Sequence, residues 1–395
     1  MGRPGRCSSG RRRRRRVPVS ADGPDLRRGR RPPHRDLRAL RDSVLAEIGR
    51  EPPRRRHRVR TVLIGLTVSI MVPVLTLAGV ALYLQHRLTS QLDRIDNVFV
   101  GLPTRPVEPA GEAADAVNIL LMGTDRRSEK QTTGALAQAT MWVPGAQRSD
   151  AIMILHIDAD RRGASVISIP RDSWVVVPGY GANKINAAFS FGGPSLAVRT
   201  IEKLTNVRID HLAVVDWDGF KELTDALGGV TLDIPETVHD RYRHITWEAG
   251  RHTMDGAEAL DYVGQRAGLP GGDFDRIHRQ QYFLRTLLDE TLRQEFRKDP
   301  TQAYDVLDTL TNNLSVDRGW SVGSMRSLLI SLRNLRSANI QYLTVPLAGT
   351  GMEGAQSVVY LDEIGNDDLW TAVRDDGVTD WLGANPDSGI PDEVS

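Results

Sequence analysis

RSDAIMILHIDADRRGASVISIPRD, residues 148–172, holds two apolar runs bracketed by paired arginine and aspartate. Ala151 to Ile157 (AIMILHI) and Ser165 to Ile169 (SVISI), the latter stopped by Pro170, are apolar at almost every consecutive position. That pattern suits strands covered on both faces rather than strands with one wet face. Val117 to Met122 (VNILLM), ended by Gly123, reads the same way. Leu212 to Val215, Val230 to Ile234 and Ile340 to Val345 are further candidate strands.

Helical periodicity fills the gaps. Pro194 to Leu204 carries Leu196, Ile201 and Leu204 beside polar residues. Asp255 followed three residues later by Glu258 is a capping-box pair opening a helix over Ala257 to Gln265. A longer helix runs from about Asp275 to Phe296, with Phe283, Leu284, Leu287, Leu288 and Leu292 spaced for burial. Strands alternating with helices predict a three-layer α/β/α domain around a central mixed sheet.

Arginine and aspartate collect at the strand ends. Asp125, Arg126 and Arg127 follow the first strand, Arg148 and Asp150 precede the second, and Arg171 and Asp172 follow the third. One such pair is usually just solvated. Three at the ends of buried strands point to a ligand, because sheet ends are where open α/β folds bind them. Arg276, Arg279 and Gln280 share one face at the start of the long helix. Cations near a helix N-terminus are disfavoured unless an anion or a local carboxylate (here Asp273 or Asp275) relieves them. Guanidinia and carboxylates together suit a pyrophosphate bridged by magnesium, with manganese as a substitute. The nine histidines show no metal-ligand spacing, and no G-x-S-x-G, Walker-type or G-x-G-x-x-G loop is present. GYGANK (179–184) reads as a turn.

The flanks differ from this body. The net charge of +1 conceals a split: residues 1–60 hold 21 arginines, no lysine and 6 acidic residues, leaving the remainder acidic. The arm is Pro- and Gly-rich and is expected to be disordered. Val62 to Leu84 is 23 residues without a charge, about 34 Å as a helix and enough to span a membrane. The basic flank places residues 1–60 in the cytoplasm, 61–84 in the membrane as an uncleaved anchor and the body outside. Residues 85–115 read as an extracytoplasmic linker, 116–346 as the folded domain, and 347–395 as a mobile tail with 11 acidic residues and one basic, Arg374, parts of which Tyr360, Trp370 and Trp381 could dock. Cys7 stands alone, which excludes an intramolecular disulfide and a multi-thiolate zinc site.

At these residues the chain resembles the LytR-CpsA-Psr family of bacterial envelope enzymes. The matching text is NILLMGTDRR (118–127), RSDAIMILHID (148–158), SIPRDSWVVVPGYGANKINAAFSFGG (168–193), DHLAVVDWDGFKELTDALGGVTLDIP (210–235), AGRHTMDGAEALDYVGQR (249–266) and GDFDRIHRQQ (272–281). The resemblance implies a phosphotransferase, a glycopolymer–peptidoglycan ligase. It would move a glycopolymer from a polyprenyl-pyrophosphate carrier to a muramic-acid hydroxyl of peptidoglycan, releasing polyprenyl phosphate. It implies Asp125 and Asp150 as the magnesium-side carboxylates, and Arg127, Arg148, Arg171, Arg266, Arg276 and Arg279 as the pyrophosphate clamp. Lys184, Asn186 and Gln280 would support the clamp, while Asp172 orients Arg171 or acts as a base. Phe189, Phe191, Leu196 and Ile201 are candidates for an apolar tunnel holding the lipid. Many members read Y-x-R-x-R where this chain has Tyr262-Val263-Gly264-Gln265-Arg266, so Gly264 replaces one arginine. The alternatives are a polyprenyl-pyrophosphate phosphatase with water as acceptor, and a transcriptional attenuator acting through the basic tail. Nucleic acid is not an expected partner, because the Arg/Asp clusters fall on the far side of the membrane from that tail.

Overall fold

The computed structural model describes residues 92–102, 104–126, 147–265, 268–292, 309 and 312–389. The chain enters with β1 (Asp93–Ile95), β2 (Val117–Arg126), β3 (Gln147–Ile157) and β4 (Ala164–Ser168). A hairpin of β5 (Trp174–Val177) and β6 (Gly181–Lys184) leads into α1 (Ile185–Thr205), then β7 (His211–Asp216) and α2 (Trp217–Ala226). Short strands β8 (Val230–Ile234), β9 (Val238–Asp240), β10 (Ile245–Trp247) and β11 (Gly250–Met254) precede α3 (Gly256–Gly264) and α4 (Asp273–Leu292). The rest comprises β12 (Leu314–Asp317), α5 (Val322–Ser331), β13 (Ile340–Thr344), β14 (Leu347–Glu353), β15 (Gln356–Leu361), α6 (Glu363–Arg374) and α7 (Val378–Ala384).

Seven strands form the central sheet in the order β1-β12-β7-β2-β3-β4-β13. It is mixed: β1/β12, β2/β7 and β4/β13 are parallel, and the other pairs are antiparallel. The C-terminal ends of β2, β4, β7 and β13 therefore lie at the same end as the N-terminal end of β3. The continuous apolar runs are explained by two covered faces. Leu120, Met122, Ile152 and Ile154 pack with α1, while Ile119, Leu121, Met153 and Leu155 pack with α4 and α5 on the other side. Val230–Ile234 is a strand as expected but pairs with β11 outside the central sheet.

Within α1 the backbone breaks at Gly192 and Gly193, the latter at φ 66° and ψ −159°. Only glycine visits that region without strain. Pro194 then opens the second segment, where a missing N–H costs nothing. The helix thus begins nine residues before the predicted start at Pro194.

Two expected boundaries are corrected. Residues 85–115 are not all linker: β1 pairs with β12 as an edge strand, Val98 is buried in the main core, and Arg105 grips the buried Glu202 at 2.6 Å. The acidic segment from Leu347 is not a mobile tail, since it is folded through Gly389. Leu369, Trp370 and Val373 of α6 and Val378 of α7 sit in the same core as α1. Acidity coats its outer face, while an apolar stripe at helical spacing docks the inner one. The arm and Val62–Leu84 lie outside the described residues, among which no helix is long and apolar enough to cross a membrane.

Candidate active site

The sheet end where β2, β3 and β4 converge carries the charged cluster. The β2–β3 ladder slips by one residue between Gly123 and Thr124, leaving Asp150 as the extra residue on β3. Such a bulge re-aims a side chain, and here it marks the carboxylate lining a cleft. Asp125 stands opposite Arg148 in the same ladder, so both lie within the strands rather than beyond them. Arg148 itself is exposed.

After β4, Pro170 to Ser173 form a tight turn closed by Ser173 N to Pro170 O at 3.0 Å. The turn is pinned to the start of α1, where the Ile185 and Asn186 amides donate to the carbonyls of Ser173 and Arg171. Arg171 is thereby held over Asp150, with which its Nη1 pairs. Its Nε faces Asp172 Oδ2 at 3.7 Å, and Asp172 Oδ1 meets Lys184 Nζ at 2.9 Å. GYGANK proves to be the turn and return strand of the β5–β6 hairpin, which brings Lys184 back opposite Trp174. Asn186 is buried at the helix start.

α4 supplies the deepest cations. Arg276 and Arg279 are 2% and 0% exposed, an unusual fate for guanidinia and a costly one without counter-groups. Arg279 donates from Nη1 to Gln265 Oε1 at 2.8 Å and stacks over the Tyr262 ring at 4.2 Å. Burial pushes its pKa down, against the opposing pull of Tyr262, Asp275 and Asp240. It forms the packed wall behind the site. Arg276 and Gln280 reach the open side, where a cleft of about 580 Å³ is lined by Asp150, by Trp217 of α2 and by Leu260, Asp261 and Gly264 of α3. The β9–β10 turn closes it with Asp240, Tyr242 and Arg243.

Sequence reasoning missed that turn. Arg243 Nη1 donates to Asp240 Oδ2 at 2.9 Å and its Nε faces Asp261 Oδ1 at 3.0 Å. Burial pushes the Asp240 carboxyl up, but the hydrogen bonds from Arg243 and the Tyr242 amide outweigh it and hold its pKa below the usual value. The only signal was a charged DRYR stretch (240–243) in an otherwise unremarked loop.

Arg127 and Arg266 lie outside the described residues, as does the Asp125 side chain. Phe189 and Ile201 are packed into the main core against the sheet. Phe191 stacks on Tyr180 with ring centroids 4.7 Å apart, and Leu196 packs half-buried on the same core. Among the described residues, the group with metal-ligating geometry is His156, Asp158 and Asp376, at the opposite end of β3. There Asp376 accepts from the Ala159 amide and meets His156 Nε2 at 3.0 Å, which ties the C-terminal segment to the sheet.

One end of this mixed α/β sheet thus gathers arginines, a bulged carboxylate and an open cleft. The chain matches the LytR_cpsA_psr family over residues 86–375 and belongs to that family. Among its relatives, the probable cell wall biosynthesis protein LcpB of Corynebacterium glutamicum is 33% identical over 72% of this chain and 66% of its own length. The chain spans 54% of LcpA from the same organism, so it covers between half and two thirds of these two relatives. The polyisoprenyl-teichoic acid–peptidoglycan teichoic acid transferase TagU of Oceanobacillus iheyensis is 31% identical over 63% of this chain and 72% of its own length. The solved LytR-Csp2A-Psr enzyme of Actinomyces oris shares the fold, with a TM-score of 0.55, 21% identity and coverage of 72% of this chain and 96% of that one.

Proposed function

We propose that this chain is a membrane-anchored phosphotransferase that moves a glycopolymer from a polyprenyl-pyrophosphate carrier onto peptidoglycan, its domain lying outside the cytoplasmic membrane. The observation carrying this reading is the Arg171–Asp150 pair standing with Arg276 and Gln280 at one sheet end. The name of TagU supports it, since that relative is described as moving teichoic acid from a polyisoprenyl carrier to peptidoglycan.

The donor set fits magnesium. Asp150 is a hard oxygen donor at the cleft, and Asp125 stands on the neighbouring strand beside it. Magnesium needs only one or two carboxylates together with phosphate oxygens and water. When bound by Asp125 and Asp150, it would supply charge neutralisation across the pyrophosphate. The chain's own groups do the remaining work. Arg171, Arg276 and, from the β2–β3 end, Arg148 grip non-bridging oxygens, with Arg127 and Arg266 as further members of the clamp. Lys184 and Asp172 fix the orientation of Arg171, and Gln280 and Asn186 add neutral donors. The acceptor hydroxyl oxygen bonds to the sugar-bearing phosphorus as the bond to the bridging oxygen breaks. Polyprenyl phosphate leaves with the bonding electrons, and the hydroxyl proton passes to solvent or to a carboxylate of the site. Phosphoryl transfer of this kind asks for positioning and charge stabilisation above all.

Asp150→Asn is expected to slow metal-dependent release of polyprenyl phosphate by on the order of 100-fold, and chelation with EDTA should abolish it in the unmodified chain. Turnover that persists undiminished in EDTA would rule out the magnesium role.

A further inference from the structure

Gly264 ends α3, and its backbone stays in the helical region rather than the left-handed one. Glycine is a poor helix former, and no turn here requires it. The Arg243 guanidinium lies against the space where a side chain would begin. A Cβ at 264 would stand 3.1 Å from Arg243 Nη2, tighter than an ordinary contact. Asp261 lies three residues before Gly264 on the same helix face and holds Arg243 Nε at 3.0 Å. Asp240, fully buried, holds Nη1 at 2.9 Å. Two carboxylates thus face the guanidinium in the cleft that Arg276 and Gln280 also line.

We infer that Arg243 is a ligand-contacting residue of the cleft, a phosphate-binding arginine delivered by the β9–β10 turn into the space that Gly264 leaves open. It stands in for the arginine that the resemblance leads one to expect at position 264. With Nε and Nη1 facing carboxylates, the remaining N–H donors of the guanidinium are the ones that would meet an oxyanion, with little further loss of rotamer freedom. The inference rests on the pyrophosphate reading above.

The test is isothermal titration of the full chain, purified in detergent, with inorganic pyrophosphate in magnesium chloride. The arginine-rich arm is common to every variant, so differences between variants report the cleft. Arg243→Gln, which keeps an amide donor for Asp240, should weaken binding by ~10–100-fold. Adding Gly264→Arg to that variant should restore it to near the starting value, because the shortened side chain at 243 frees the space. Unchanged affinity in Arg243→Gln, with Arg276→Ala weakened, would overturn this inference and leave the pyrophosphate reading standing. A loss that Gly264→Arg does not restore would mean that Arg243 only shapes the hairpin, which also overturns it. Equal affinity in the unmodified chain, Arg243→Gln and Arg276→Ala would overturn the pyrophosphate reading itself.

Discussion

Arg276→Ala is expected to lower transfer from a polyprenyl-pyrophosphate-linked saccharide by ~10²–10³-fold in kcat, read as polyprenyl phosphate released per enzyme. The size follows from placement. At 2% exposure Arg276 is held by the protein rather than by water, yet it borders the cleft beside Asp150 and Gln280. A cation fixed in a dry wall does not reorganise as charge develops on the phosphoryl oxygens, so it stabilises that charge beyond what it contributes to binding the pyrophosphate. Arg276→Lys should recover little, since an ammonium cannot reproduce the planar, two-pronged grip. An Arg276→Ala chain with undiminished kcat would place the chemistry elsewhere.

Trp370→Ala should destabilise the domain by ~3–5 kcal/mol, measured by denaturant or thermal unfolding. Trp370 is 2% exposed and packs with Leu369, Val373 and Val378 against the same core as α1 and the sheet. Removing residues 347–395 deletes all four side chains. At ~2–5 kcal/mol for each large one, that matches or exceeds the 5–15 kcal/mol by which a domain is stable. The shortened chain is expected to aggregate. A 1–346 chain that unfolds cooperatively at the temperature of the full chain would show that α6 and α7 are dispensable.

That segment also shows where sequence reasoning stops. Its eleven acidic residues dominate its average character, whereas the docking information sits in the spacing of Leu369, Trp370 and Val373 on one helix face. Average charge hides periodicity. The strands over 117–122, 151–157, 165–169, 212–215 and 340–345 were legible because a strand covered on both faces is apolar at successive positions. The short hairpins were not, because their pairing depends on turns and neighbours. The same contrast holds at the site. Asp125, Arg148, Asp150 and Arg171 stand out because strand ends place them by topology alone. The bulge that aims Asp150 leaves no trace in composition. Arg243 reaches the cleft only through the fold of the β9–β10 turn. Phe189 and Ile201 carry the hydrophobicity of a lipid pocket and equally that of the core in which they are packed.

In the proposed reaction the charged sheet end transfers a phosphoglycosyl group to a glycan hydroxyl. It is tested most directly by mass spectrometry of peptidoglycan oligomers after incubation with the full chain, magnesium and a polyprenyl-pyrophosphate-linked saccharide, with Arg171→Ala alongside. The prediction is a phosphodiester-linked saccharide–peptidoglycan adduct with the unmodified chain and none with Arg171→Ala. Free saccharide phosphate without adduct, or adduct formed equally by Arg171→Ala, would contradict it.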